Sequence, residues 1–249
     1  MPPRSRDLAW DGLLNARDLG GHPTEDGRET RWGSVVRADS VRQLSEDGWK
    51  ALVDYGVRTI VDLRSDEELA ADPPADLPVD AVHVPFFDDR EDVFEEVEAA
   101  SSAAADHAAA TRAAYLIFLE HFRRNVASAI RAVAEAPEGG VVVHCHGGKD
   151  RTGLVTAFLL RLAGVSVDVV ATDYALSEVR LRTRHEQWFA EAADEAALER
   201  LHRIASTPAK SMVGVLEELE RRYGGVEGYL RSGGVSEEEL EHARARLRG

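Results

Sequence analysis

Short apolar runs rich in β-branched residues, each bounded by Gly, Asp or Pro, recur along the first part of the chain. They predict strands at 34–37 (SVVR), 57–63 (VRTIVDL), 81–85 (AVHVP) and 141–144 (VVVH). The stretches between them carry a helical period. Ser45 is placed to cap a helix that ends at Gly56. Tyr115, Leu119, Phe122, Val126, Ile130 and Val133 recur at steps of three or four, which predicts a single helix over residues 111–136, stopped by the PEGG at 137–140. Further helices are expected over 152–162, from Ser166, and from Thr207-Pro208 to Gly224-Gly225. Ser236 with Glu239 forms a capping-box pattern for a last one. Strands interleaved with helices predict an α/β fold: one domain over residues 1–249 around a mostly parallel central sheet flanked by helices. Two segments fit this frame poorly, the acidic, Ala-rich 88–110 and the charged 180–206. Each reads as a helical lid or a solvated excursion.

Composition narrows the function. A net charge of -15 argues against nucleic-acid binding and against stable residence on an anionic membrane. The 30 basic residues include only three lysines (Lys50, Lys149, Lys210), and alanine is abundant, as in proteins from GC-rich bacterial genomes. The start, MPPRSRDLAWDG, has no apolar signal core, and the longest apolar stretch (153–171) is interrupted by Arg161 and Asp168. A cytoplasmic protein is the expectation, with secretion lacking a signal as the alternative. The single cysteine, Cys145, permits no internal disulfide and no cysteine zinc cluster, and no metal or cofactor is called for.

That cysteine lies in HCHGGKDRTG (144–153), between the strand-like VVVH and an apolar helix. A strand–loop–helix turn lets backbone N–H groups converge on one point, where the helix N-terminus adds its positive end. Gly147 and Gly148 permit close backbone approach. Arg151, six residues after the thiol, matches two phosphate oxygens with its planar fork. An ordinary thiol titrates near pH ~8.5 and is mostly protonated at neutral pH. The same N–H groups and arginine that hold an anion also favour the thiolate, so nucleophile and phosphate cradle form one device over His146, Gly147, Gly148, Lys149, Asp150 and Arg151.

The stretch resembles the H-C-x5-R-[ST] signature of cysteine-dependent phosphatases. Within them, HCxxGKDRTG is similar to the bacterial tyrosine phosphatase branch, which includes dual protein and phosphoinositide phosphatases. Asn15-Ala16-Arg17-Asp18-Leu19-Gly20-Gly21 resembles that branch's NFRDLGG, with Ala16 replacing the usual aromatic. Arg37-Ala38-Asp39-Ser40, Val61-Asp62-Leu63-Arg64-Ser65 and the C-terminal Tyr223-Gly224-Gly225 with Gly228-Tyr229-Leu230 match as well. The resemblance implies a cysteine-dependent phosphatase fold and hydrolysis of phosphate monoesters, protein phosphotyrosine first. Cys145 would be the nucleophile, Arg151 the phosphate clamp, and Thr152 the hydroxyl that stabilises the departing thiolate. An aspartic acid protonates the leaving oxygen; the match at Pro85-Phe86-Phe87-Asp88 puts Asp88 first, with Asp89 and Asp150 as rivals.

The blander readings differ in weight. His144 orients the loop by hydrogen bonds rather than by proton transfer, and His146 offers its backbone N–H or is plain surface. Lys149 is a second positive charge at the mouth. Arg17 and Arg64 either line the pocket or pair with Asp18 and Asp62. The competing substrates are phosphoproteins and phosphoinositides or inositol phosphates. A catalytically dead phosphate-binding module is the reading from another class, against which Cys145, Arg151 and Thr152 all speak. A rhodanese-type sulfurtransferase fits the Gly148…Arg151-Thr152-Gly153 frame poorly.

Overall fold

The computed structural model describes residues 4–73 and 77–248. Strand β1 (Arg17–Asp18) runs antiparallel to β2 (Val35–Ala38). Helix α1 (Glu46–Asp54), capped by Ser45 accepting from the Gly48 N–H, leads into β3 (Val57–Asp62). Helix α2 (Asp66–Ala71) and the edge strand β4 (Asp80–His83) follow. Helices α3 (Glu91–Ser102), α4 (His107–His121) and α5 (Arg123–Glu135) precede β5 (Gly140–His144). After it come α6 (Arg151–Leu162), α7 (Val167–Arg180), α8 (Arg182–Ala190) and α9 (Glu195–Ala205). Helices α10 (Ala209–Tyr223), α11 (Val226–Ser232) and α12 (Glu237–Leu247) complete the fold.

The sheet order is β1-β2-β5-β3-β4, parallel except at β1. This is the α/β architecture with a mostly parallel sheet that the patterning predicts. Strand β5 sits at the centre and is buried at every position, because each face of the sheet meets its own core. Val141 and Val143 join a core built with α5, α6, α7 and α10–α12, whereas Val142 faces Trp10 and Leu52 on the other side. A strand covered on both faces reads as a continuous apolar run, which is why VVV carries no alternation. In register, Ala38 and Asp62 flank His144, so the carboxyl ends of β2, β3 and β5 open on one side of the sheet. That is where a parallel sheet builds its sites.

Two expectations need correction. The helix predicted over 111–136 is two helices, α4 and α5, which meet at Phe122, where the backbone leaves helical geometry (φ -105, ψ 26). The period runs through the break because Tyr115, Leu119, Val126, Ile130 and Val133 join one core and the buried Phe122 packs beside it on Phe87. Periodicity reports the buried face and says nothing about a bend of the axis. Strand β1 was not expected: a two-residue strand leaves no periodic trace. The poorly fitting segments prove helical, 88–110 holding α3 and the start of α4, and 180–206 holding α8 and α9.

Phe158 on α6 is fully buried, its ring 5.6 Å from that of Tyr229. Truncation to alanine removes a large side chain from a site walled by helices on several sides, and Phe158→Ala should cost about 3–5 kcal/mol in chemical denaturation. A loss below about 1 kcal/mol would show that the α6–α11 contact is not close-packed.

Candidate active site

The chain leaves β5 at His144, passes through Cys145 to Asp150, and enters α6 at Arg151. Cys145 is buried, at the base of the loop. The loop's carbonyl oxygens are held from outside. The Ser40 N–H donates to His146 O at 3.0 Å, and the Asn15 side-chain amide donates to Gly147 O and Gly148 O at 3.1 and 3.0 Å. Arg37 donates to Gly148 O at 2.8 Å. Among the described residues, none of the backbone N–H groups from His146 to Asp150 has a protein acceptor. Carbonyls tied outward and N–H groups left free on the inner side make a nest for an anion. Asp150 occupies the N-cap position of α6 without capping it, so the helix end stays available as well.

Gly148 makes the curvature possible. Its φ is +63, and a Cβ there would stand 2.3 Å from the Ala38 carbonyl oxygen. Both the backbone angle and the space therefore require glycine. Gly147 carries no such constraint, since a Cβ there would meet nothing closer than 3.9 Å.

Arg151 is nearly buried and forms a two-pronged ion pair with Glu68 of α2, Nη1 to Oε2 and Nη2 to Oε1, the latter at 2.8 Å. Its guanidinium also lies 5.3 Å from the centre of the Phe87 ring. Burial lowers the Arg151 pKa, but the Glu68 carboxylate outweighs it and the net direction is upward, so the guanidinium stays charged. For Glu68 burial acts to raise the pKa, and the Arg151 contacts override it, bringing it from 4.5 to about 2. Glu68 is also the third residue of α2, where it closes a capping box with Ser65. One carboxylate thus caps a helix and aims the arginine.

His144 is fully buried; its Nδ1 lies 3.1 Å from Cys145 O, and Nε2 lies 3.6 Å from Asp62. Burial lowers its pKa despite Asp62, which keeps the ring neutral. Thr152 is buried, and its hydroxyl has no hydrogen-bond partner among the described residues. Asp150 accepts a hydrogen bond from the Tyr115 hydroxyl at 2.5 Å, and Tyr115 in turn lies 2.9 Å from the Tyr174 hydroxyl. Beside the C-terminal end of the loop lies a cavity of about 290 Å³, lined by Phe87, Glu98, Tyr115, Phe118, Lys149, Asp150 and Arg151, with Arg200 and Arg203 of α9. Among the described residues, no group of three or more His, Cys, Asp or Glu side chains is arranged to hold a metal ion.

A family model described as the tyrosine phosphatase family matches residues 8–249. The chain belongs to this family. A tyrosine-protein phosphatase of Nostoc commune is 31% identical over 230 residues, spanning 86% of this chain and 74% of that one. The triple specificity protein phosphatase PtpB of Mycobacterium tuberculosis is 29% identical over 275 residues, spanning 96% and 98%. The chain is thus a phosphatase of the tyrosine phosphatase family, and no helix among its described residues is long and apolar enough to cross a membrane.

Within this phosphatase the expected residues divide. The loop 144–152 gathers as one unit. Lys149 does not stand free at the mouth: it is buried, and its ammonium donates to Ile204 O at the end of α9. His146 is exposed and, with Arg64, lines a neighbouring cavity of about 410 Å³. Arg64 pairs with Asp62 at 2.8 Å, and the cavity it lines is this neighbouring one, not the one walled by Asp150 and Arg151. Arg17 and Asp18 line neither cavity. Arg17 is fully buried on Asp173 rather than on Asp18. Asp18 accepts from the Gly20 and Gly33 N–H groups and from Tyr55. Asp88 is exposed and is absent from the cavity wall, as is Asp89. Glu68 leaves no trace of this role in the local sequence beyond its capping-box spacing from Ser65, since its partner stands 83 positions away.

Glu68→Gln should leave Arg151 misaimed and lower kcat/KM about 10²-fold, with most of the loss in kcat. Since folding depresses the Glu68 pKa from 4.5 to about 2, the pairing stabilises the fold fully above pH ~4.5 and is lost as pH falls through ~2. Acid unfolding of the variant, compared with the parent, checks the second point; steady-state kinetics at neutral pH checks the first. Parent-like kcat would remove Glu68 from the machinery.

Proposed function

We propose that this phosphatase hydrolyses phosphate monoesters through a cysteinyl-phosphate intermediate, with protein phosphotyrosine as its first substrate class. The observation that carries this reading is the run of backbone N–H groups from His146 to Asp150 without a protein acceptor among the described residues, set between one buried thiol and Arg151. In the first step Sγ of Cys145 attacks phosphorus, the bond to the ester oxygen breaks, and that oxygen takes a proton. In the second a water attacks phosphorus, gives up a proton, and the sulfur leaves as thiolate. The unpartnered Thr152 hydroxyl supports its role as the donor to that thiolate. The aromatic wall of Phe87 and Phe118 supports an aryl ester, whose ring would lie against them.

Asp150 carries the proton in this reading. It borders the cavity beside Arg151, whereas Asp88 is exposed and does not. A second reading, a phosphoinositide or another multiply phosphorylated substrate, is favoured by Arg200 and Arg203 at the cavity border. The triple specificity in the mycobacterial relative's name is consistent with such breadth.

Cys145→Ser should abolish turnover, to below about 1% of wild type, while phosphate binding persists. A panel of phosphopeptides against phosphoinositides, run on both proteins, separates the two substrate readings by kcat/KM. Asp150→Asn should slow phosphotyrosine hydrolysis by roughly 10²–10⁴ but affect an activated aryl phosphate much less, because that leaving group needs no proton. Asp88→Asn should stay within about threefold on both substrates, and the opposite pattern would return the role to Asp88.

A further inference from the structure

The two N-terminal motifs, Asn15-Ala16-Arg17 and Arg37-Ala38-Asp39-Ser40, are not used by the chemistry above, yet both run beneath the phosphate loop. Arg17, Arg37 and Asp173 are each at most 1% exposed. Asp173, on α7, takes Arg17 Nε at 2.9 Å on one oxygen and Arg37 Nη1 at 2.8 Å on the other. Arg37 then reaches the loop through Nη2, at 2.8 Å from Gly148 O, and its Nε has no partner among the described residues. Arg17 donates to Asn15 Oδ1 at 2.6 Å, and Asn15 holds Gly147 O and Gly148 O.

The charges do not balance. Two guanidinium groups share one carboxylate. Of the other titratable groups near the cluster, His22 lies 3.8 Å from Asp173, and burial holds its pKa down at about 4, so it is neutral. Arg6 lies 3.4 Å from the His22 Nδ1. Buried Asp39, which accepts from the Asn15 N–H, is offset by Arg184 at 2.9 Å. Arg180 adds positive charge from the end of α7, already paired with Asp7. Burial brings the Arg17 pKa down to about 9, which still leaves it charged at neutral pH.

We infer that Arg17, Arg37 and Asp173 form a buried cluster carrying one net positive charge, which stabilises the phosphate group in the loop from behind. These are positioning residues: they never touch the substrate and act through the loop's peptide dipoles and through the field. The inference rests on the phosphate loop proposed above.

The test uses charge changes of opposite sign in full-length Cys145→Ser protein, with inorganic phosphate as the probe and calorimetry as the readout. Arg37→Gln should raise the phosphate Kd on the order of tenfold, and Asp173→Asn should lower it several-fold, because each moves the buried charge by one unit in opposite directions. A merely structural role loosens the loop in both variants and weakens binding in both. That result, or no change in either, overturns the inference. Thermal melts establish that each variant folds. If a neutral variant does not, Arg37→Lys decides, since it keeps the charge without the fork: Kd within about threefold of the parent supports the cluster's electrostatic role, and a loss of tenfold or more overturns it. Failure of the Cys145→Ser parent to bind phosphate would instead overturn the phosphate-loop reading, and the inference with it.

Discussion

The peptide units between Cys145 and Asp150 face outward with their carbonyl oxygens, toward the Ser40 N–H, the Asn15 amide and the Arg37 guanidinium. Each such bond contributes only about 1 kcal/mol net, yet together they set the direction in which the opposite N–H groups point. The turn they define is tight enough that Gly148 packs directly on the Ala38 carbonyl, with a positive φ that a side chain would strain. In the proposed function, an anion would then bind with little reorganisation, the condition under which backbone dipoles stabilise charge most effectively.

A chain of net charge -15 takes an anionic substrate only if local charge overrides the global field. At physiological ionic strength surface charges are screened over ~8 Å, so the exposed carboxylates elsewhere weigh little at the loop. The cavity meets Arg151, Lys149, Arg200 and Arg203 against Glu98, which pairs with Arg203, and Asp150, while Arg37 stands behind the loop at Gly148 O. Lys149 is committed to Ile204 O, which ties the end of α9 to the loop. The cationic wall and the helical excursion over it are therefore one assembly.

Glu68 joins two requirements in one side chain. Its carboxylate accepts the Ser65 N–H to start α2 and holds both Nη atoms of Arg151. An arginine with five donors and several rotatable bonds needs such an anchor to present its fork in one orientation. The position of α2 at the end of β3 makes this possible, and the parallel register of β3 with β5 brings Ser65 and Cys145 to the same edge.

Much of this was legible in the residues alone. The VVV run, the Gly-rich turn and the apolar helix after it fixed a strand–loop–helix unit, because β-branched runs and glycine punctuation act locally. The unique thiol and the arginine six positions later pointed to the proposed chemistry for the same reason: they lie within one turn of chain. What the tertiary structure alone decided involves partners far apart in sequence. It split the helix over 111–136 at Phe122, moved Arg17 from Asp18 to Asp173, and put Glu68 on Arg151. It also set Lys149 on Ile204, and Asp150 rather than Asp88 at the cavity wall. A charged side chain takes the partner that packing brings within reach, and packing is settled by the whole core; local spacing lists the candidates, and burial selects among them.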